Sequence, residues 1–359
     1  MVTFLGHFFS RKKGGKNFEL FCSFLLLFVF FGFRDLPILN DTAHYYEHFR
    51  GVVCNSWRTL FSIDPYDRFE VGYQVYERLI ARLFNNTYSI IICSAFLVTV
   101  SNLCFIKTYT KHIAISVFLF LTQMILLFQF SAIRQALAIG FFYLAFTQLM
   151  KNRYITYFLL VLLSFSFHSS AIILFFIPLL LKIPFNVRNV FIFIIAASFA
   201  AYFMVEIINY FGFGSSDYLE KDMNRETTAL GVLLKMSLML LLIVLSLFFL
   251  RGSNVSTINR ALLWLSLLGI LFSALSLRMM AMGRFSSYFA PFTIILFIRA
   301  AYQDDNREYP QMPYLFGAVA FLFLIQLLVV LLFRPEWYHL VPYSFYDFDA
   351  YHFDTNFGY

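Results

Sequence analysis

Charge is scarce in this chain. Of its 359 residues only 13% are Asp, Glu, Lys or Arg, against 60% hydrophobic residues and a mean hydropathy of +0.73, which excludes an ordinary soluble domain. Cysteine is scarce too. Cys22, Cys54, Cys93 and Cys104 lack metal-ligand spacing and three lie in or beside apolar runs, so they read as packing residues. Strict apolar and polar alternation is missing, which argues against a transmembrane barrel. No glycine-rich nucleotide loop is present, so a nucleotide-sugar donor is not expected. The net charge of +7 and pI of about 9.1 do not indicate nucleic acid, because Lys and Arg gather at the ends of apolar runs, as topology signals do.

What the chain does have is long hydrocarbon, with 50 Phe and 22 Tyr. A spanning helix needs about 20 apolar residues, so this length predicts one all-α polytopic membrane domain, 1–359, of about eleven segments. The basic stretch within 1–17 (Arg11, Lys12, Lys13, Lys16) predicts a cytoplasmic N-terminus, and Phe18 to Phe33 a retained first helix, since no small-residue cleavage site follows. A long extracytoplasmic loop, 34–87, comes next. Spans are then expected over Tyr88 to Ile106, Ile113 to Ser131 and Ala132 to Met150, followed by two short halves of Tyr154 to Lys182 meeting near His168. Asn189 to Ile208 leads to an outer loop, 209–229. Leu230 to Leu250, Ala261 to Leu277, Phe285 to Ile298 and Tyr314 to Phe333 complete the set, with an aromatic outer tail, 334–359.

One segment breaks the hydrocarbon in a telling way. Ile133-Arg134-Gln135-Ala136 puts a permanent cation and an amide into a span, where a charge costs several kcal/mol unless it meets water or an anion. The topology moves Arg134 to the outer mouth of its helix. It also brings Gln135, His168, Arg278 and Arg284 to that level, beside the loop carrying Arg34, Asp35, Asp41, Tyr45, Glu70 and Tyr73. Each has a plainer reading. Arg34 and Asp35 make an interfacial anchor pair, Asp41 caps Thr42 to Phe49, Glu70 pairs with Arg68, His168 bonds Ser169, and Arg278 and Arg284 snorkel.

Several arginines with one or two carboxylates at a membrane face suit a multiply charged anion near the headgroups, since guanidinium forks match phosphate oxygens. A lipid-linked pyrophosphate fits, its lipid between helices and its sugar in the outer cavity, with a carboxylate taking the proton of an attacking hydroxyl. No metal or other cofactor is expected. His/Cys clusters are missing from the outer loops, and the adjacent Asp304 and Asp305 fall in a predicted inner turn.

Asp41-Thr42-Ala43-His44-Tyr45, Glu70-Val71-Gly72-Tyr73, Ile133-Arg134-Gln135-Ala136-Leu137-Ala138 and Phe167-His168-Ser169-Ser170-Ala171, in this order, resemble the EpsG-like group of Wzy-type polysaccharide polymerases. The resemblance covers Phe18 to Leu181, with weaker support from Arg278 to Tyr288. It implies a GT-C-like helical bundle in a bacterial inner membrane that joins undecaprenyl pyrophosphate-linked repeat units of capsule, exopolysaccharide or O-antigen. It further implies that Arg134, Arg278 and Arg284 hold pyrophosphate, Glu70 or Asp41 acts as base, Gln135 and His168 orient substrate, and Tyr45 and Tyr73 stack on sugars. The implied partners are the lipid-linked oligosaccharide, membrane lipid, a chain-length regulator and a flippase, with no nucleic acid. An O-antigen ligase, another lipid-carrier glycosyltransferase, or a flippase for lipid-linked saccharide remain alternative readings.

Overall fold

A computed structural model of the chain describes residues 15–53, 69–84, 86–203, 229–251, 255–302 and 312–348. Arg11 to Lys13, Cys54, Arg68, positions 209–228 of the outer loop expected over 209–229, Asp304 with Asp305 and the tail after Phe348 lie outside the described residues.

The first apolar run becomes α1, Gly15–Gly32. Glu19, Ser23, Leu27 and Phe31, spaced by four, form its buried stripe, while Phe18, Phe21, Leu25 and Val29 on the other side are exposed, as lipid-facing residues would be. The loop expected over 34–87 contains two helices, α2, Thr42–Val53, and α3, Val71–Leu83. A long α4, Ser89–Tyr109, follows.

The next expected span, Ile113 to Ser131, is broken. It forms α5, Ile113–Thr122, and α6, Ile125–Ser131, bent by 67°. Met124 stands between them at φ 60°, a left-handed conformation that a continuous helix cannot contain. A closed ring of hydrogen bonds then fixes α6 against its neighbours. Asn102 of α4 donates to Gln129 (2.6 Å), Gln129 to the Tyr143 hydroxyl (3.2 Å), and Tyr143 back to the Asn102 carbonyl (3.3 Å). In hydrocarbon such bonds hold helices together where apolar contact gives no preference over lipid.

Tyr143 belongs to α7, Ile133–Met150, which packs on α8, Tyr154–Phe167. The chain breaks at His168, as expected, and continues as a 3-10 turn, Ser169–Phe176, and α9, Ile177–Leu181. Beyond it come α10, Val187–Tyr202, α11, Ala229–Phe249, α12, Thr257–Leu275, α13, Met282–Ala301, and α14, Met312–Phe333. Among the described residues there is no strand, only a bridge between Arg34 and Phe345.

Among the described residues six helices are long and apolar enough to cross a membrane (α1, α4, α7, α11, α12 and α14), or seven elements if the bent pair is one span. Shorter apolar helices cover Tyr154–Phe167, Ser169–Leu181 and Val187–Phe199. The chain is thus an all-helical polytopic membrane protein.

Two compact units divide the chain, one of residues 1–172 and 315–359 and one of 173–314. The second is built on α11, α12 and α13. Gly269 lets α12 approach its neighbours closely, and the Ser286 hydroxyl of α13 donates to the Gly269 carbonyl (3.0 Å) and meets Ser273 (2.7 Å).

Candidate functional site

In the first unit one arginine organises the end of the bundle from which Arg134 starts. Arg34 follows α1 and is only 1% exposed. Its Nη2 donates to the Phe130 carbonyl at the end of α6 (2.9 Å), its Nε to the Thr42 hydroxyl in the first turn of α2 (3.0 Å), and its Nη1 to the Phe31 carbonyl. The Tyr88 hydroxyl donates to the Arg34 carbonyl, and Tyr346 of the C-terminal tail stacks on Tyr88 at 3.9 Å. Loop 34–87, the tail and the α6–α7 corner therefore share one end of this unit. Burial lowers the Arg34 guanidinium to about 10, opposed by Tyr88 and Tyr343, so it stays charged at neutral pH. The sequence groups Arg34 with the outer-face charges that suit an anionic substrate, whereas all three of its nitrogens already donate to the protein.

Arg134, the second residue of α7, is placed differently. Its Nη1 meets Glu70 Oε2 at 2.5 Å, with the two side chains 19% and 20% exposed. Its guanidinium lies 4.0 Å from the centre of the Phe69 ring, a cation–π contact, and it hydrogen-bonds Tyr45. The cation is neither buried out of reach nor free in solvent.

Glu70 arrives there because of the residues that follow it. It occupies the N-cap position of α3 but makes no side-chain cap bond. Its carboxylate instead spans from Arg134 to the Ser169 N–H, which donates to Oε1 at 2.9 Å. Gly72 permits this approach, since a Cβ there would fall 2.3 Å from Ser166 Oγ and 2.7 Å from the Ser166 carbonyl of α8. The segment Glu70-Val71-Gly72-Tyr73 is thus a docking edge against α8 and the His168 break.

The other expected residues gather around this pair to differing degrees. Tyr45 and Tyr73 are buried with Phe69 between α2 and α3, at ring separations of 5.4 to 5.9 Å. Burial raises the Tyr45 phenol, with Arg134 pulling the other way, and burial raises Tyr73 further. The Tyr73 hydroxyl has no hydrogen-bond partner among the described residues. Fully buried, it offers no face to a sugar ring. His168 caps α8; its Nδ1 bonds the Ser170 hydroxyl (2.6 Å) and accepts from the Ser170 N–H (3.2 Å). Gln135 is buried beside Arg134, and Asp41 stands exposed just before α2.

Arg278, on the turn joining α12 and α13, and Arg284, the third residue of α13, belong to the second unit, and both are exposed. Arg278 donates to the Tyr202 carbonyl (3.2 Å) and lies 5.8 Å from that ring.

Sequence reasoning missed Phe69, His48 and Glu77. The Phe69 ring has Arg134 at 4.0 Å and His48 at 3.9 Å. His48 Nδ1 in turn lies 2.9 Å from Glu77 Oε1, a carboxylate with 0% exposure. Helical spacing was the available signal, because Tyr73, Tyr76, Glu77 and Ile80 form the buried stripe of α3.

Among the described residues no group of three or more His, Cys, Asp or Glu is placed to hold a metal ion. The tail does carry an Asp-x-Asp pair, Asp347-Phe348-Asp349, of which Asp347 is exposed and Asp349 lies outside the described residues.

The model of the EpsG family matches residues 18–345, spanning both units. No curated protein and no solved structure matches the chain.

Proposed function

The chain belongs to the EpsG family of Wzy-type polysaccharide polymerases, and from that premise we propose that it joins lipid-linked oligosaccharide repeat units into a surface polysaccharide on the outer face of the bacterial inner membrane. The observation that carries this reading is the half-buried Arg134–Glu70 pair on Phe69. A guanidinium held by one carboxylate, with part of its fork accessible, can exchange that partner for a pyrophosphate oxygen when substrate arrives.

The donor is the growing chain on a polyprenyl pyrophosphate such as undecaprenyl pyrophosphate. Arg134 stabilises the charge that develops as the lipid pyrophosphate leaves. Gln135, Tyr45 and the His168-Ser169-Ser170 turn fix the walls around that anion. Glu70, bonded through both oxygens, holds Arg134 and the turn in register. The transfer is metal-independent in this reading, with charge neutralised by arginine.

The architecture supports the same picture. In this reading the bent pair, the three shorter apolar helices and α13 count with the six long spans as about eleven membrane segments, and the bundle is taken as GT-C-like. The N-terminus is then cytoplasmic, and the shared end of loop 34–87, the tail and Arg134 is extracytoplasmic. A flippase supplies substrate from inside, and a separate regulator sets chain length.

Deleting the gene tests the reading through the glycan it leaves. Surface glycan reduced to single repeats is the expected result. Loss of all exported repeats would point to a flippase, and full-length polymer retained on its carrier to a ligase; either sinks the proposal.

A further inference from the structure

We propose that Lys235 holds the pyrophosphate of the acceptor lipid, at a second anion site built by α11, α12 and α13. The inference rests on the polymerase reading above, because that reaction brings two lipid pyrophosphates to one protein. The donor's leaves against Arg134. The acceptor's stays intact through the reaction and needs a hold of its own.

Lys235 is the single charge of α11, within a stretch apolar enough to cross a membrane. A lysine that merely snorkels from a span belongs on its lipid-facing side. On α11 that side carries Leu233, Leu240, Val244 and Leu247, all exposed. Lys235 lies on the opposite face. Met239, Leu242 and Ser246, each 0% exposed, follow it at helical spacing and share one stripe with it.

That stripe is the one that packs. Met239 reaches Gly269 of α12, where a Cβ would fall 2.9 Å from the end of its side chain and 3.3 Å from Phe289 of α13. Because α11 leads into α12 through a short connection, the two helices run antiparallel. Lys235 therefore stands one turn, about 6 Å, from the Gly269 layer toward the turn joining α12 and α13. Ser273 and Ser286 meet at that level (2.7 Å), and the Ser276 hydroxyl donates to the Ser273 carbonyl (2.6 Å). Burial falls off along the stripe in the same direction. Met239 is closed off, whereas Lys235, Val232 and Gly231 are half-buried, so the lysine stands where the packed interior of the unit opens toward its end.

Charge gives the class of ligand. Among its described residues the second unit contains no Asp or Glu. Lys235 has no hydrogen bond or ion pair with any described residue, whereas Arg134 is held by Glu70. Arg278 and Arg284, exposed at the same end, add positive potential. A cation at membrane depth is costly without an anion or water, and the anions at hand at the outer end of a span are lipid phosphates. Lysine suits a pyrophosphate that does not react. Its ammonium is a compact point charge with three rotatable donors and no fixed fork. A hold that is equal in the ground state and the transition state lowers KM and leaves turnover unchanged.

The experiment counts radiolabelled polyprenyl pyrophosphate, carrying no sugar, bound per full-length protein in nanodiscs of phosphatidylcholine. Wild type is expected to bind two. Lys235→Met keeps the unbranched chain and removes a charge from a span, so it is expected to fold and to bind one. Arg134→Ala should also bind one, the double variant none, and Lys235→Arg, which keeps a cation, two. With a lipid-linked repeat as substrate, Lys235→Met should raise KM at least about tenfold, the worth of a hydrogen bond to a charged group, with turnover unchanged. A single pyrophosphate on wild type, two on Lys235→Met, or an unchanged KM overturns the proposal. Displacement of the second pyrophosphate by excess phosphatidylglycerol also overturns it, since the site would then serve ordinary anionic lipid. Wild type that elongates while binding one pyrophosphate removes this inference alone, and wild type that elongates nothing removes the polymerase reading with it.

Discussion

Two arginines stand at one end of the first unit and the protein uses them in opposite ways. Arg34 has its fork filled by two carbonyls and a hydroxyl, and its charge serves to tie α1, α2 and α6 together. Arg134 shares its fork with one carboxylate and an aromatic face and remains 19% exposed. Lysine would keep the charge of Arg134 but lose the planar fork and the stacked contact with Phe69. Arg134→Lys should therefore leave membrane levels unchanged and lower polymerisation at least about tenfold, equivalent to about 1.4 kcal/mol of lost transition-state stabilisation. Polymer yield per unit of protein measures this, and unchanged yield would show that position 134 needs only a point charge. Arg134 was legible in the sequence because a charge within hydrocarbon is rare. His48 and Glu77 were not, because a His and a Glu in a polar loop look unexceptional until folding buries the carboxylate.

At the scale of elements, the site depends on how closely α3 meets α8. Gly72 sets that distance, since a methyl group would collide with both the side chain and the backbone carbonyl of Ser166. Gly72→Ala should destabilise the protein by about 1–3 kcal/mol, as overpacking does, and lower its thermal midpoint in detergent. Adding Ser166→Ala should not restore it, because the carbonyl would still lie 2.7 Å from the new Cβ. An unchanged midpoint would contradict the close approach. The helices themselves were largely readable from hydropathy, with α1, α4, α7 and α14 starting or ending within about three residues of the expected limits, the usual precision of helix ends. The bend between α5 and α6 was hidden, because it arises from a left-handed Met124 and a three-residue hydrogen-bonded ring that no local pattern announces.

The whole molecule is an all-helical membrane protein whose family match runs through both compact units. The first unit brings together Tyr45, Glu70, Arg134 and the His168 turn, which the sequence had singled out one by one in separate segments. Purified protein in proteoliposomes, given only a polyprenyl pyrophosphate-linked repeat and a chelator, tests the central claim most directly, by chain length and by lipid pyrophosphate released. The account predicts polymer, one lipid pyrophosphate released per linkage formed, no effect of the chelator, and neither product with Arg134→Ala. Lipid-linked repeat that crosses the bilayer without growing, or polymer made equally well by Arg134→Ala, would contradict it.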